Sequence, residues 1–359
     1  MQAIYFTAGP SQLYPSYQKH LEKAMELQLG SINHRSESFR KIYQHTDEQL
    51  RQLMNIPSTH AIFFAASATE VWEKMILNLV ETSSFHFVNG AFSKKFYDFA
   101  TSLGKHAQAY EVKEGEGFDI HQAAIVEHNE LICTTQNETS TGVTLPIEDI
   151  SLLKNKFPHQ LLCTDLVSIA PYSQIDFNSI DSAFFSVQKA FGMPPGLGVW
   201  IVNEKCREQA QKLQEAKVMQ GAHHTLASYY TNYKKFETPS TPNVIAIYII
   251  GKIAEDMNRS GILQIRQDID DKAKLLYDFI ANQNKLTCFV KDPKFRSQTV
   301  GVFDTQFDSS ELIHQLKQNN LVISNGYGNG KNKQIRIANF PATNIEDMQL
   351  LLNKMEETL

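Results

Sequence analysis

The stretch "SAFFSVQKAFGMPPGLGVWIV", residues 182 to 202, holds two apolar runs of strand length separated by a turn dense in Gly and Pro, with Lys189 at the junction. Each run is nearly continuous rather than alternating, the pattern of a strand buried on both faces. Lysine is mostly exposed in folded proteins. Its place between two buried strands therefore has two readings: a solvated loop residue, or an amine held on a rigid turn for chemistry.

Upstream the same strand pattern recurs in "HAIFFAAS" (60–67), "SSFHFVNG" (83–90), "HAQAYEVK" (106–113), "ELICTTQ" (130–136) and "QLLCTDLV" (160–167). Helical segments lie between them. In 68–81, Val71, Trp72, Met75, Ile76 and Leu79 share one face; in 91–104, Phe92, Phe96, Phe99 and Leu103 form a stripe that ends at Gly104, a C-cap signal. A further helix is predicted near 146–157, and two more at 15–29 and 36–54, separated by "GSINHRS". Strand–helix alternation of this kind predicts an α/β fold, a mostly parallel central sheet covered by helices on both faces, with ligands bound outside the carboxyl ends of the strands.

From about residue 255 the pattern changes to a compact α+β segment, with helices over 268–280 and 309–320, strands "LVISNGY" and "QIRIAN" joined by the hairpin loop "GYGNGKNKQ", and a last helix opened by a Thr343–Glu346 capping box. The expected organisation is an N-terminal arm (1–15), a large domain (16–254) and a smaller C-terminal domain (255–359). At 359 residues, with 42% hydrophobic and 20% charged residues, the chain has the composition of a globular protein of more than one core.

A net charge of −5 gives no broad basic surface, so neither nucleic acid nor a membrane is expected as partner. No apolar run nears the roughly 20 residues that span a bilayer, and the N-terminus does not read as a signal peptide, which makes the cytoplasm the expected location. The four cysteines, Cys133, Cys163, Cys206 and Cys288, are far apart with no C-x-x-C pair. No metal site or disulfide framework is expected, and Cys133 and Cys163 read as buried thiols. No G-x-G-x-x-G follows the first strand, which disfavours a dinucleotide-binding dehydrogenase.

An amine that holds an aldehyde cofactor as a Schiff base needs a fixed position and surroundings that lower its pKa. Pyridoxal phosphate asks further for a carboxylate at its ring nitrogen, an aromatic face and donors for its phosphate. The sequence has a candidate for each. Asp165 ends a buried strand, where an unpaired carboxylate is costly; the alternative is a turn cap. Ser67, Ala68 and Thr69 stand where a strand meets a helix N-terminus, a phosphate-binding geometry as well as an ordinary N-cap. Phe92 stands at a second such junction, as a stacking ring or a core residue. Asn137, Glu138 and Thr139 stand at a third, in a loop that is otherwise only a turn.

In order along the chain, "FTAGPSQLYP", "INHRSESF", "NET" with "TG" at 137–142, "TDLVS", "VQKAFGMPPGLGVWIV" and "TPSTPNVIAIYIIG" resemble the phosphoserine aminotransferase family, class V of the fold-type I pyridoxal-phosphate enzymes. The resemblance runs from residue 5 to the C-terminus. It implies that Lys189 is the catalytic lysine bonded to pyridoxal 5'-phosphate and that Asp165 meets the ring nitrogen. It also implies that Thr139 bonds the cofactor's phenolic oxygen and that Ser67, Ala68, Thr69 and Gln188 surround its phosphate. Ser168, in "TDLVS", joins the cofactor-binding set, and Phe92 stands where the family usually has a stacking tryptophan.

By the same resemblance Arg336 grips the substrate carboxylate, and a homodimer shares its active sites, with His34 and Arg35 of one subunit reaching the phosphate of the other's substrate and Thr238 the phosphate of its cofactor. Amino acids and 2-oxo acids would be the small-molecule partners, exchanged in a ping-pong cycle that serves serine biosynthesis.

Two departures stand out. Glu237 replaces a family asparagine near the cofactor's phosphate, unfavourable unless its charge points away. The loop before Arg336 lacks the family's His-Arg pair and offers only Lys331 and Lys333. The alternatives are a class V aminotransferase for unphosphorylated serine or alanine with glyoxylate or pyruvate, a cysteine desulfurase using Cys288, and a non-catalytic ligand-binding relic of the fold.

Overall fold

In the computed structural model, which describes residues 2–359, the strands follow in chain order as β1 (Ile4–Phe6), β2 (His60–Ala65), β3 (Ser83–Val88), β4 (His106–Glu111), β5 (Leu131–Thr135), β6 (Asn137–Glu138), β7 (Val143–Thr144), β8 (Leu161–Asp165), β9 (Ser182–Ser186), β10 (Gly198–Asn203), β11 (Leu286–Cys288), β12 (Val300–Thr305), β13 (Leu321–Asn325) and β14 (Gln334–Ala338). Seven of them form the central sheet in the order β2-β10-β9-β8-β5-β3-β4. Within it β10 alone runs antiparallel to its neighbours.

The near-continuous apolar runs are explained by two cores. Ile62, Phe64, Phe185 and Ile201 face one, while Ala61, Phe63, Phe184 and Trp200 face the other, the period-two alternation of a strand. Helices Glu37–Met54 and Val244–Ser260 cover the first face; Ala68–Leu79 and Ala91–Ser102 cover the second. Each fully buried Val, Leu, Ile or Phe contributes about 1.5–3 kcal/mol, several times any difference in helix or strand propensity, so burial fixes these elements.

The ends of the helices depart from the sequence reading in three places, one of them the helix expected over 268–280, which already begins at Ile262. The first helix spans Tyr17–Glu26 rather than 15–29, because Gln28 turns left-handed at φ 50° and the chain enters a short 3-10 turn. The last helix is capped one residue later than expected. Asn344 accepts from Asp347 N–H at 2.7 Å and donates its own N–H to the Asp347 carboxylate at 3.0 Å, whereas Thr343 is buried and its hydroxyl donates to the Phe340 carbonyl at 3.2 Å.

A second sheet, β1-β13-β14-β12-β11, packs on a core containing Phe6, Leu276, Phe303, Ile335 and Met348. Its edge strand β1 comes from the N-terminus and pairs parallel with β13. Residue 255 lies inside helix Val244–Ser260; the backbone breaks sharply at Gly261, whose φ of 85° is left-handed, before helix Ile262–Ala281 begins. Because β2, β3, β5, β8 and β9 all point the same way, their carboxyl ends deliver Ser67, Phe92, Asn137, Asp165 and Lys189 to one edge of the sheet.

Candidate active site

That edge opens into a cavity of about 410 Å³. Lys189, Asp165, Thr139, Phe92, Gln188 and Arg336 line it, as do Ala68 and Thr69. Lys189 is 7% exposed and Asp165 3%. The lysine's backbone is tied down by the N-terminal arm: Ser11 N–H donates to the Gln188 carbonyl at 3.0 Å and its hydroxyl to the Lys189 carbonyl at 2.6 Å. Gly9 lies so close that a Cβ there would stand 3.0 Å from Lys189 Cε, so the arm is a wall for the lysine stem.

The lysine amine donates to Thr139 Oγ1 at 3.0 Å and stands 5.4 Å from the centre of the Phe92 ring. Burial lowers its pKa to about 8; Asp165 and Glu138 pull against that and the Arg336 charge adds to it. Burial raises Asp165 to about 7, against the Val167 N–H that donates to its Oδ1 at 2.7 Å and against the nearby Lys189 charge. A rise from 3.8 to about 7 corresponds to roughly 4 kcal/mol held against the carboxylate, a cost that a cationic ring nitrogen opposite it would remove. The Trp72 indole N–H, also on the cavity wall, is near enough to Asp165 to favour its charged form, though not in hydrogen-bond geometry with it.

The phosphate-binding reading of the 67–69 turn is refined by the geometry. Ser67 caps helix Ala68–Leu79, its Oγ accepting from Glu70 N–H at 3.1 Å, and it stands behind the cavity wall rather than on it. Ala68 N–H donates to Ser186 Oγ at 2.9 Å, which makes Ser186 a cavity residue the sequence reading missed. Gly198 lets β10 pass beneath this turn, since a Cβ would come within 2.5 Å of the Ser67 carbonyl carbon. What remains free for an anion is the helix N-terminus with Thr69 and Gln188 beside it.

Glu138 holds the aromatic wall in place. Its carboxylate accepts from Phe92 N–H at 3.3 Å, Ser93 N–H at 2.8 Å and Ser140 Oγ at 2.7 Å, which anchors the start of helix Ala91–Ser102. Gly90 makes room for it, as a Cβ there would lie 2.4 Å from Glu138 Cγ. Ser168 sits behind the cavity rather than on it, donating to the Asn137 carbonyl at 2.8 Å. Asn137 lines the cavity, and its Oδ1 is buried with no partner.

Arg336 stands on β14 of the second sheet, with Nε donating to the Asn325 carbonyl at 2.9 Å and Nη1 to the Thr139 carbonyl at 3.3 Å. Its fork is thereby aimed across the gap between the two sheets, as bidentate recognition of a carboxylate requires. His34, Arg35 and Thr238 are not brought to this cavity. Arg35 Nη1 donates to Glu237 at 2.6 Å and to Asn232 at 2.6 Å, and Arg40 Nη2 donates to Glu237 at 2.5 Å. The Glu237 carboxylate is thus turned toward two guanidiniums, whose hydrogen bonds outweigh burial and lower its pKa. Thr238 Oγ1 donates to the Ser240 carbonyl at 2.7 Å and lines a separate groove with Glu70 and His224.

Cys133, Cys163 and Cys206 are buried, Cys288 is half-buried on β11, and all four are free thiols outside the cavity wall. This disfavours the desulfurase reading. Among the described residues no helix is long and apolar enough to cross a membrane.

A buried amine, an opposing carboxylate and an aromatic wall at the carboxyl edge of a mostly parallel sheet, with an arginine from a second sheet above them, define the fold-type I transferase class. Residues 4–338 match the aminotransferase class-V family. The chain belongs to the class V aminotransferase family and is a transaminase. It is 40% identical to a phosphoserine aminotransferase of known structure from Cytophaga hutchinsonii, with a TM-score of 0.98 over 99% of both chains. The phosphoserine aminotransferase of Rhodococcus opacus is 25% identical over 98% of this chain and 94% of its own. The alanine–glyoxylate aminotransferase of Nostoc shares the fold, at 18% identity and a TM-score of 0.82 over 100% of this chain and 95% of its own.

Proposed function

We propose that the protein is a pyridoxal-phosphate-dependent phosphoserine:2-oxoglutarate aminotransferase, acting as a cytoplasmic homodimer in serine biosynthesis. The observation that carries the reading is the buried pair of Lys189 and Asp165 lining one cavity with Arg336, close enough for each charge to act on the other. The similarity to the Cytophaga enzyme supports the substrate. The placing of His34, Arg35 and Thr238 away from this chain's own cavity supports a second subunit that receives them. Free cysteines accord with a reducing compartment.

The residues fit pyridoxal phosphate. Lys189 offers a buried amine near neutrality, Asp165 a carboxylate that burial leaves short of positive charge, Phe92 a ring face, and the helix N-terminus at Thr69 a seat for a phosphate. Once bound there, the cofactor supplies an aldehyde for the amino group and a ring that withdraws electrons.

The chain's own residues do the rest. Arg336 holds the substrate carboxylate, which fixes the Cα–H bond relative to Lys189. The freed Lys189 amine takes up the Cα proton and later returns it, an acid–base role suited to a pKa near the working pH. Thr139 steadies the amine, while Asp165 would keep the bound ring's nitrogen protonated and Phe92 would shield the ring from water.

The test follows the visible band of the bound cofactor. Adding L-glutamate bleaches it, and 3-phosphohydroxypyruvate added to the same sample restores it. Restoration by glyoxylate or pyruvate alone would assign an unphosphorylated substrate instead. A second result follows from the lysine's depressed pKa. Borohydride-trappable attachment of pyridoxal phosphate to the apoenzyme rises about tenfold per pH unit below pH 8 and levels off above it, since only the neutral amine attacks. A rate still rising through pH 10 would show that Lys189 is an ordinary exposed lysine.

A further inference from the structure

The altered loop before Arg336 holds a feature that the sequence reading passed over. Lys331 and Lys333 are exposed and stand outside the cavity wall. Tyr327 lines the cavity instead. The loop that carries it is tightly wound: a Cβ on Gly326 would lie 2.1 Å from the Gly330 carbonyl oxygen, and one on Gly330 2.1 Å from Gln334 Oε1. The Tyr327 ring is thereby held against Phe92, with centroids 5.3 Å apart and planes tilted by 45°.

Beside both rings stands Lys95, from the helix whose start Glu138 anchors, its amine 5.6 Å from the Tyr327 ring centre. Its amine donates to Tyr327 Oη at 3.0 Å and lies 5.4 Å from the Phe92 ring centre. The neighbouring Lys94 pairs with Asp98, yet among the described residues no carboxylate lies within ion-pairing distance of Lys95. A tyrosine hydroxyl that accepts from a lysine keeps its own hydrogen to donate. The pair therefore presents a positive charge and a hydroxyl donor at the cavity mouth.

We propose that Lys95 and the Tyr327 hydroxyl are this chain's own contribution to the subsite for the second anion of the substrate, the phosphate monoester on its side chain, which a second subunit completes with His34 and Arg35, while Arg336 takes the carboxylate. The proposal rests on the phosphoserine reading given above. The Arg336 guanidinium carbon lies 5.4 Å from the Tyr327 ring centre and the Lys95 amine 5.6 Å, which bounds their separation at about 11 Å. In O-phosphoserine four bonds separate the carboxyl carbon from the phosphorus, and a charge-assisted hydrogen bond adds about 2.8 Å at each end. One extended molecule spans the two cations.

The test uses the holoenzyme with Lys95→Met, Lys95→Arg and Tyr327→Phe. Calorimetric titration with 3-phospho-D-glycerate, which carries a carboxylate and a phosphate monoester but no amine, reads the subsite without turnover. Lys95→Met and Tyr327→Phe weaken binding, the former by about tenfold, and Lys95→Arg restores most of it. Single-turnover bleaching gives the rate-constant ratio of O-phospho-L-serine to L-alanine, and Lys95→Met lowers that ratio by about tenfold as well. If Lys95→Met matches the wild type in both measurements while the wild type prefers the phosphorylated ligand, the subsite is wrong and the substrate reading stands. If the wild type itself neither binds 3-phosphoglycerate nor prefers phosphoserine, both fall together.

Discussion

Replacing Lys189 by alanine lowers turnover by at least about 10⁴-fold, because one substitution removes both the amine that receives the cofactor and the base that moves the Cα proton. The fold survives the change. The amine's one side-chain hydrogen bond is to Thr139, at 3.0 Å, and the backbone of the turn is held independently by Ser11. The variant still takes up cofactor without a covalent bond, so borohydride no longer fixes it to the chain. Small primary amines added to the assay recover part of the proton-transfer rate. Turnover near that of the wild type would remove Lys189 from the chemistry altogether.

The second large effect belongs to Asp165. Asparagine in its place keeps the size and the oxygen that accepts from Val167 N–H, and removes only the charge. The rate constant for the amino-acid half-reaction falls roughly 10²–10³-fold, the scale of a lost electrostatic partner in a dry site, with little change in apparent substrate affinity. Stability moves the other way. The folded apoenzyme holds the Asp165 proton to about pH 7 while the unfolded chain releases it near 3.8, so the folded state binds more protons in that window and loses stability as pH rises through it. Asp165→Asn is free of that loss, and its apoenzyme at pH 8 is more stable than wild type by about 2 kcal/mol. Denaturant titrations at pH 5 and pH 8 read the difference. A variant that is both less active and less stable at pH 8 would mean that Asp165 is a structural cap and no more.

These two residues were legible in the sequence because each ends a strand that nothing but a buried sheet explains, and a charged group in such a place requires a partner. Arg336 was legible only through the order of motifs around it. The role of Glu138 has no local signature. The tripeptide "NET" marks a strand end in sequence, but that the Glu138 carboxylate caps the helix carrying Phe92, 46 residues earlier, emerges only when β3 and β5 lie side by side. Glu237 was a puzzle for the same reason: its negative charge looked misplaced until Arg35 and Arg40 were seen to meet it.

The sequence by itself determined the local pattern: where the main strands and helices lie, that the sheet is covered on both faces, and that Lys189 and Asp165 stand at the ends of successive buried strands. These follow from side-chain periodicity, which acts over one or two turns of chain. The tertiary structure decided which strand ends meet. It also placed β1 in the second sheet, so that the N-terminal arm locks Lys189, and brought Lys95 against Tyr327 across 232 residues. Such contacts depend on the order of strands in the sheet and on the loops that cross between the two sheets, and no local pattern of apolar residues encodes a distance of that kind.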